Sequence, residues 1–244
     1  MKKISSAFFV SMLIFNCSVV EAKTDDLINI QFGLSDMTSV YNGSAMCGSS
    51  GQLWNLYDAN NDVPPVSLML SNGDSSSALV TVNFDTIGVI NTSRDIFAGT
   101  NDDNMMRYYA LTGSSATVDF TNLNRFATYD LYLYSQEAKK TKYPSTTFTV
   151  NGKDYTITNT SNTAAFIYGS NYITITGINT DASGCLSFSY GPGVNASIGA
   201  LNGIQLLETS TLTIVPEPSA IALIGVGSFF ALMVKKSKRN DEYA

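Results

Sequence analysis

The chain contains no histidine. Without an imidazole there is no Ser-His-Asp triad, no Cys-His pair and no His-ligated zinc site, which removes several large enzyme classes at once. Cysteine is scarce, three in 244 residues, and neither a Gly-x-Ser-x-Gly turn nor a glycine-rich phosphate loop occurs. Charge is sparse as well. Between Lys23 and Ser219 the longest basic stretch is Lys139-Lys140-Thr141-Lys142, and seventeen acidic residues outnumber eight basic ones. Phosphate neutralisation needs clustered cations, so nucleic acid is not an expected partner. The acidity serves mainly solubility.

Glutamate is also rare in that span, where only Glu137, Glu208 and Glu217 occur. Hydrolytic chemistry would therefore rest on a pair of aspartates, as in a carbohydrate-active hydrolase. The main expectation is a chain that is not an enzyme.

What is present is alternation. From Leu27 onward apolar and polar residues alternate with period two, and no stretch of about eleven residues keeps the i, i+3, i+4 pattern of a helix. Strands are predicted over 27–32, 66–70, 79–84, 105–111, 116–120, 128–135, 146–150, 154–158, 171–176, 185–190 and 201–207, separated by turns such as Asn72-Gly73-Asp74 and Gly191-Pro192-Gly193. Asn151-Gly152 specifies a two-residue type I′ hairpin that pairs Val150 with Lys153, Phe148 with Tyr155 and Thr146 with Ile157. Phe148, Val150, Tyr155 and Ile157 then share one face, and a one-residue slip would mix them with the threonines. Both faces of 128–135 are apolar, which predicts a central strand with one face on the core and the other partly covered by a loop or partner. So many short strands without covering helices call for two packed sheets. The predicted fold is an all-β, two-sheet jelly-roll β-sandwich over residues 23–209.

The order of landmarks carries a resemblance. Ile28-Asn29-Ile30-Gln31-Phe32-Gly33, Gln52-Leu53-Trp54-Asn55, Tyr129-Asp130-Leu131-Tyr132-Leu133-Tyr134, Phe148-Thr149-Val150-Asn151-Gly152 and Ala200-Leu201-Asn202-Gly203-Ile204-Gln205-Leu206 resemble a galactose-binding-like jelly roll of the malectin and carbohydrate-binding-module type. The resemblance covers about Asp26 to Glu208. It implies a non-catalytic domain with polysaccharide as a partner, and it carries over no ligand-contacting residue.

Candidate site residues come from composition and context. Trp54, the sole tryptophan, stands between a Gly/Ser loop and the polar stretch from Tyr57. Its indole suits either stacking on a sugar or burial in the core. Tyr57, Tyr108, Tyr109 and Tyr143 lie near loop ends and are candidate contacts. Asp58, Asn60 and Asp62 place side-chain oxygens at alternate positions, the opening of a calcium loop, but Val63 and Met69 stand where such a loop needs Gly and Glu. Structural calcium and a plain polar turn are both open readings; no other cofactor is expected. Cys47 and Cys185 read as one disulfide in an oxidising compartment, closing a loop that would stabilise by about 4–5 kcal/mol on the chain-entropy model. Two separate thiols are the alternative.

The two ends read as addresses. Lys2-Lys3, the apolar run 7–14 and Val20-Glu21-Ala22 form a secretory signal over residues 1–22, implying the Sec export machinery. A lipoprotein signal ending at Cys17 competes, against Phe15 and Asn16, which suit it poorly. At the other end, residues 210–219 form a linker with Val215-Pro216-Glu217-Pro218, residues 220–234 an apolar run expected to be a single transmembrane helix, and residues 235–244 a basic cytoplasmic tail. This triplet, run and basic stop resemble the PEP-CTERM sorting segment, which implies an exosortase as processing enzyme, transient membrane insertion and a Gram-negative producer of exopolysaccharide. The run would span roughly 22 Å against a hydrocarbon core of roughly 30 Å. That shortness suits a removable handle better than a permanent anchor.

The sequence thus predicts an exported surface or matrix protein whose sandwich binds polysaccharide. The secreted hydrolase using Asp carboxylates and a passive coat protein are the alternatives.

Overall fold

The computed structural model describes residues 26–34, 37, 39–58, 62–91, 94–137, 145–160 and 163–210. Tyr143, Asn60, the 1–22 signal, the Val215-Pro216-Glu217-Pro218 motif and the 220–234 run lie outside the described residues. The chain divides into a unit over Met1–Thr211 and a second over Leu212–Ala244. No helix among the described residues is long and apolar enough to cross a membrane.

Among the described residues fourteen strands and one short helix follow in order: β1 (Leu27–Gly33), β2 (Asn55–Asp58), β3 (Val66–Met69), β4 (Ser75–Asn83), β5 (Thr86–Val89), α1 (Asp103–Arg107), β6 (Tyr108–Thr112), β7 (Ala116–Thr121), β8 (Thr128–Tyr134), β9 (Thr146–Val150), β10 (Lys153–Ile157), β11 (Tyr172–Asn179), β12 (Leu186–Pro192), β13 (Gly199–Leu201) and β14 (Gly203–Ser210). They build a five-stranded sheet, β11-β8-β14-β1-β2, a six-stranded sheet, β10-β9-β12-β7-β4-β3, and a three-stranded sheet, β13-β6-β5. All pairs are antiparallel except β1 with β2.

The two large sheets share one apolar core, as a β-sandwich requires. Ile28, Ile30 and Phe32 of β1 and Leu131 and Leu133 of β8 meet Val80 of β4, Val118 and Phe120 of β7 and Phe148 of β9 in a single buried cluster. The alternation in the sequence is the cause: every second residue of each strand points inward. The Asn151-Gly152 hairpin takes the predicted register, Val150 opposite Lys153 and Phe148 opposite Tyr155. Both turn residues have positive φ, 51° and 74°, as type I′ demands.

Besides the short strands β2 and β5, which were not predicted, three features depart from the sequence reading. The segment predicted as a strand over 105–111 begins as helix α1 and becomes strand only at Tyr108, because Met105 and Met106 are both buried under a covering loop and a strand would turn one of them outward. Gly191 and Pro192, predicted as a turn, continue β12. Third, a small sheet joins the two large ones. It meets the six-stranded sheet where Gly191 and Gly199 approach so closely that a Cβ on Gly199 would lie 2.5 Å from the Gly191 carbonyl carbon. Only a residue without a side chain fits there.

Candidate functional site at one mouth of the sandwich

The outward face of the five-stranded sheet is partly covered. A second buried cluster lies over it: Tyr41, Trp54 and Phe97 from the loops and Met105 and Met106 of α1, against Tyr134 of β8. β8 is a central strand with Tyr129, Leu131 and Leu133 buried on the core side, while on the other face Tyr134 is buried and Asp130 and Tyr132 are half-buried, the partial cover that its two apolar faces predicted. Trp54 is 3% exposed, its Nε1 donates to the Gly43 carbonyl at 2.9 Å, and its ring meets Tyr41 edge-on at 4.8 Å. This corrects its candidacy as a ligand contact. The indole is a loop anchor, with its polar atom satisfied as burial demands.

The disulfide expectation is also corrected. Cys47 and Cys185 are free thiols. Cys47 lies in the loop laid over the five-stranded sheet, its amide donating to Gln205 Oε1, while Cys185 immediately precedes β12 in the six-stranded sheet, its amide donating to Asp181 Oδ1. Burial pushes the Cys47 thiol above its ordinary pKa.

Tyr108 and Tyr109 are half-buried on β6 in the small sheet, Tyr109 packing its ring over Gly88. Tyr57 and Asp62 are the candidates that come together. They line an open cleft of about 500 Å³ at one mouth of the sandwich, with Leu34, Pro64, Val82, Phe84, Asp85, Thr86 and Ile87. β1 and β2 end there from one sheet and β4 from the other, so loops of both large sheets frame it.

The floor is aromatic. Phe32, Tyr57 and Phe84 form a triangle with ring centroids 5.7, 6.1 and 6.2 Å apart. Phe32 and Tyr57 are buried, whereas Phe84 is only half-buried and packs on the core cluster. The Tyr57 hydroxyl donates to the Val82 carbonyl at 3.4 Å and accepts from the Val82 amide at 3.3 Å, joining the two sheets beneath the cleft. Burial is the chief cause raising the Tyr57 pKa, and the Asp62 charge adds to it. The phenol therefore stays neutral.

The rim is polar. Asp62 Oδ2 accepts from the Asp58 amide at 2.7 Å, and the Asp62 amide donates to the Asp58 carbonyl at 2.8 Å. Asp58 and Asp62 are thus latched to each other, and Asp58 is buried. Among the described residues no group of three or more Asp, Glu, Cys or His side chains converges to hold a metal. Asp85 Oδ2 accepts from the Gly113 amide at 2.7 Å, tying the β4–β5 turn to the β6–β7 turn. Thr86 is exposed beside it. Phe84 and Asp85 were not foreseen as site residues. The signal for them was slight: an aromatic closing a predicted strand just before an acid.

At the other end of β1 and β4 lies a smaller pocket of about 190 Å³ that includes Asp26, Tyr129, Asn124 and Glu208. Glu208 Oε2 accepts from Tyr129 Oη at 2.9 Å and from Asn124 Nδ2 at 2.6 Å. One of the two glutamates of the sandwich is thus engaged in joining β14 to β8 and its preceding turn.

No family model matches the chain, and no curated protein matches it. Among solved structures, the chain overlaps a chain from the crystal structure of plant peptide RALF23 in complex with FER and LLG2, with 12% identity and a TM-score of 0.34, over 79% of this chain and 42% of that one. It also overlaps TmCBM61, solved in complex with beta-1,4-galactotriose, with 10% identity and a TM-score of 0.23, over 55% of this chain and 86% of that one. The chain spans about two fifths of the first of these. Overlaps this loose assign no ligand.

Proposed function

We propose that this is a non-catalytic binding domain that holds a polyhydroxylated ligand, a polysaccharide segment, in the cleft floored by Phe84 and Tyr57. The observation that carries the reading is the pairing, in one open cleft, of a half-buried aromatic ring with two carboxylates and a hydroxyl. A sugar presents apolar C–H faces and a ring of hydroxyl donors. Phe84 suits the first and Asp62, Asp85 and Thr86 suit the second. The size of the cleft is within the usual range of small-ligand sites. The jelly-roll reading of the sandwich and its galactose-binding-like resemblance agree with such a role.

Export belongs to the same proposal. The 1–22 signal, the Pro216-Glu217-Pro218 triplet, the apolar run 220–234 and the basic tail support a Sec-exported protein, sorted by an exosortase to the cell surface or matrix. There, retention of extracellular polysaccharide would be its work.

The test is calorimetric titration of the full-length protein with neutral oligosaccharides such as a glucose or galactose tetramer. Saturable binding is expected, with the sugar recovered intact. Phe84→Ala should weaken binding about tenfold, as loss of a stacking ring does, and Phe84→Leu, which keeps the floor filled, should weaken it similarly without unfolding the domain. Binding unchanged in both variants would remove the cleft as the site.

A further inference from the structure

The charge at the cleft rim allows an inference that rests on the reading above and goes further, to the class of sugar. Among the described residues, the charged side chains that line the cleft, Asp62 and Asp85, are both carboxylates, and no lysine or arginine lines it. They reach it from different layers: Asp62 from the loop after β2 of the five-stranded sheet, Asp85 from the turn after β4 of the six-stranded sheet. Each is pre-set by a backbone amide on Oδ2, from Asp58 and from Gly113, both at 2.7 Å. Neither Oδ1 has a hydrogen-bond partner among the described residues. The Asp62 charge reaches the floor, since it helps raise the Tyr57 pKa.

A carboxylate accepts hydrogen bonds and donates none, so these two atoms select for what a ligand donates. A neutral hydroxyl serves. A protonated amine serves better, because its donors carry charge. A uronate fails twice: it brings acceptors to acceptors, and its charge is repelled from both sides of the cleft. We propose that the cleft discriminates by charge, preferring sugars that carry a protonated amino group over neutral sugars and rejecting uronates, with Asp62 and Asp85 as the specificity-determining residues.

Ion pairs open to water are weak and screened by salt, so the amine should gain only a few-fold over the neutral sugar. Repulsion of the uronate widens the full range to about tenfold or more at low salt.

The experiment titrates the full-length protein with tetramers of glucosamine, glucose and galacturonate at about pH 6, below the range in which such amines lose their proton. The expected order is amine, then neutral, then uronate. It should collapse toward a common affinity in high salt and in the Asp62→Asn, Asp85→Asn double variant, and shrink in Asp85→Asn alone, whose amide oxygen still accepts from Gly113. Uronate bound as tightly as the amine, or an order unchanged in a folded double variant, overturns the selectivity while leaving the cleft as a sugar site. If none of the three tetramers binds, the reading of the cleft falls, and the selectivity with it.

Discussion

The Gln205 side chain grips the Cys47 peptide from both sides. Its Oε1 accepts from the Cys47 amide at 3.1 Å and its Nε2 donates to the Cys47 carbonyl at 2.5 Å, across 158 positions of sequence. Gln205 is fully buried, as is Asn29, whose Oδ1 accepts from the same Nε2 at 2.9 Å. Tyr134 Oη donates to Gln205 Oε1 and accepts from the Met46 amide. One amide group thus stitches a loop onto the outer face of the five-stranded sheet much as a strand partner would.

Gln205→Leu should therefore cost about 3 kcal/mol or more, because several buried polar groups lose their partner at once. Urea unfolding monitored by circular dichroism measures it. A loss below about 1 kcal/mol would show that water satisfies those groups and that the amide is not the stitch.

The free thiols make a second prediction. In protein denatured without reductant, peptide mapping should find both Cys47 and Cys185 alkylated. A linked peptide containing both would contradict the placement of the two residues in separate layers.

Asp95 gives the loop cover a pH dependence. Its side chain is buried, and its pKa is raised to about 6, first by burial and also by the Asp103 carboxylate, with the Phe97 amide and Arg107 opposing the rise. The unfolded value is about 3.9, so the folded form binds the proton more tightly. This group therefore favours folding least above about pH 6, and its penalty is relieved as pH falls from about 6 towards 4. The full effect is at most roughly 2–3 kcal/mol. Asp95→Asn should raise the thermal midpoint at about pH 7.5 more than at about pH 4.5; a difference that does not change with pH would remove Asp95 as the cause.

Gly199→Ala tests the junction of the small sheet. The added methyl meets backbone atoms of Gly191, which cannot swing aside as a side chain would, so overpacking of about 1–3 kcal/mol is expected. Hydrogen exchange should show the loss concentrated in β13, β6 and β5. Uniform loss across the sandwich would mean that the small sheet does not open by itself.

How much could be read in advance differs from element to element. The β9–β10 hairpin was legible to the residue, since Asn-Gly and strict alternation act over neighbouring positions. β2 and β5, four residues each, were not, because strands that short are made by the partner they pair with. α1 was misread because Met105 and Met106 are buried by residues far away in sequence. In the site, Tyr57 and Asp62 stand out in the sequence for what they are, while Phe84 and Asp85 are site residues only by where β4 ends.

The sequence by itself determined the class of this protein: all-β by its period-two alternation, without histidine chemistry, and acidic. Tertiary structure alone decided which aromatics are accessible. Trp54 and Phe84 are both large rings beside loops, yet one is sealed under Tyr41 and the other floors a cleft. The difference arises from distant segments that cover one face and leave the other open, and burial of that kind depends on the sum of long-range contacts, which no local pattern encodes.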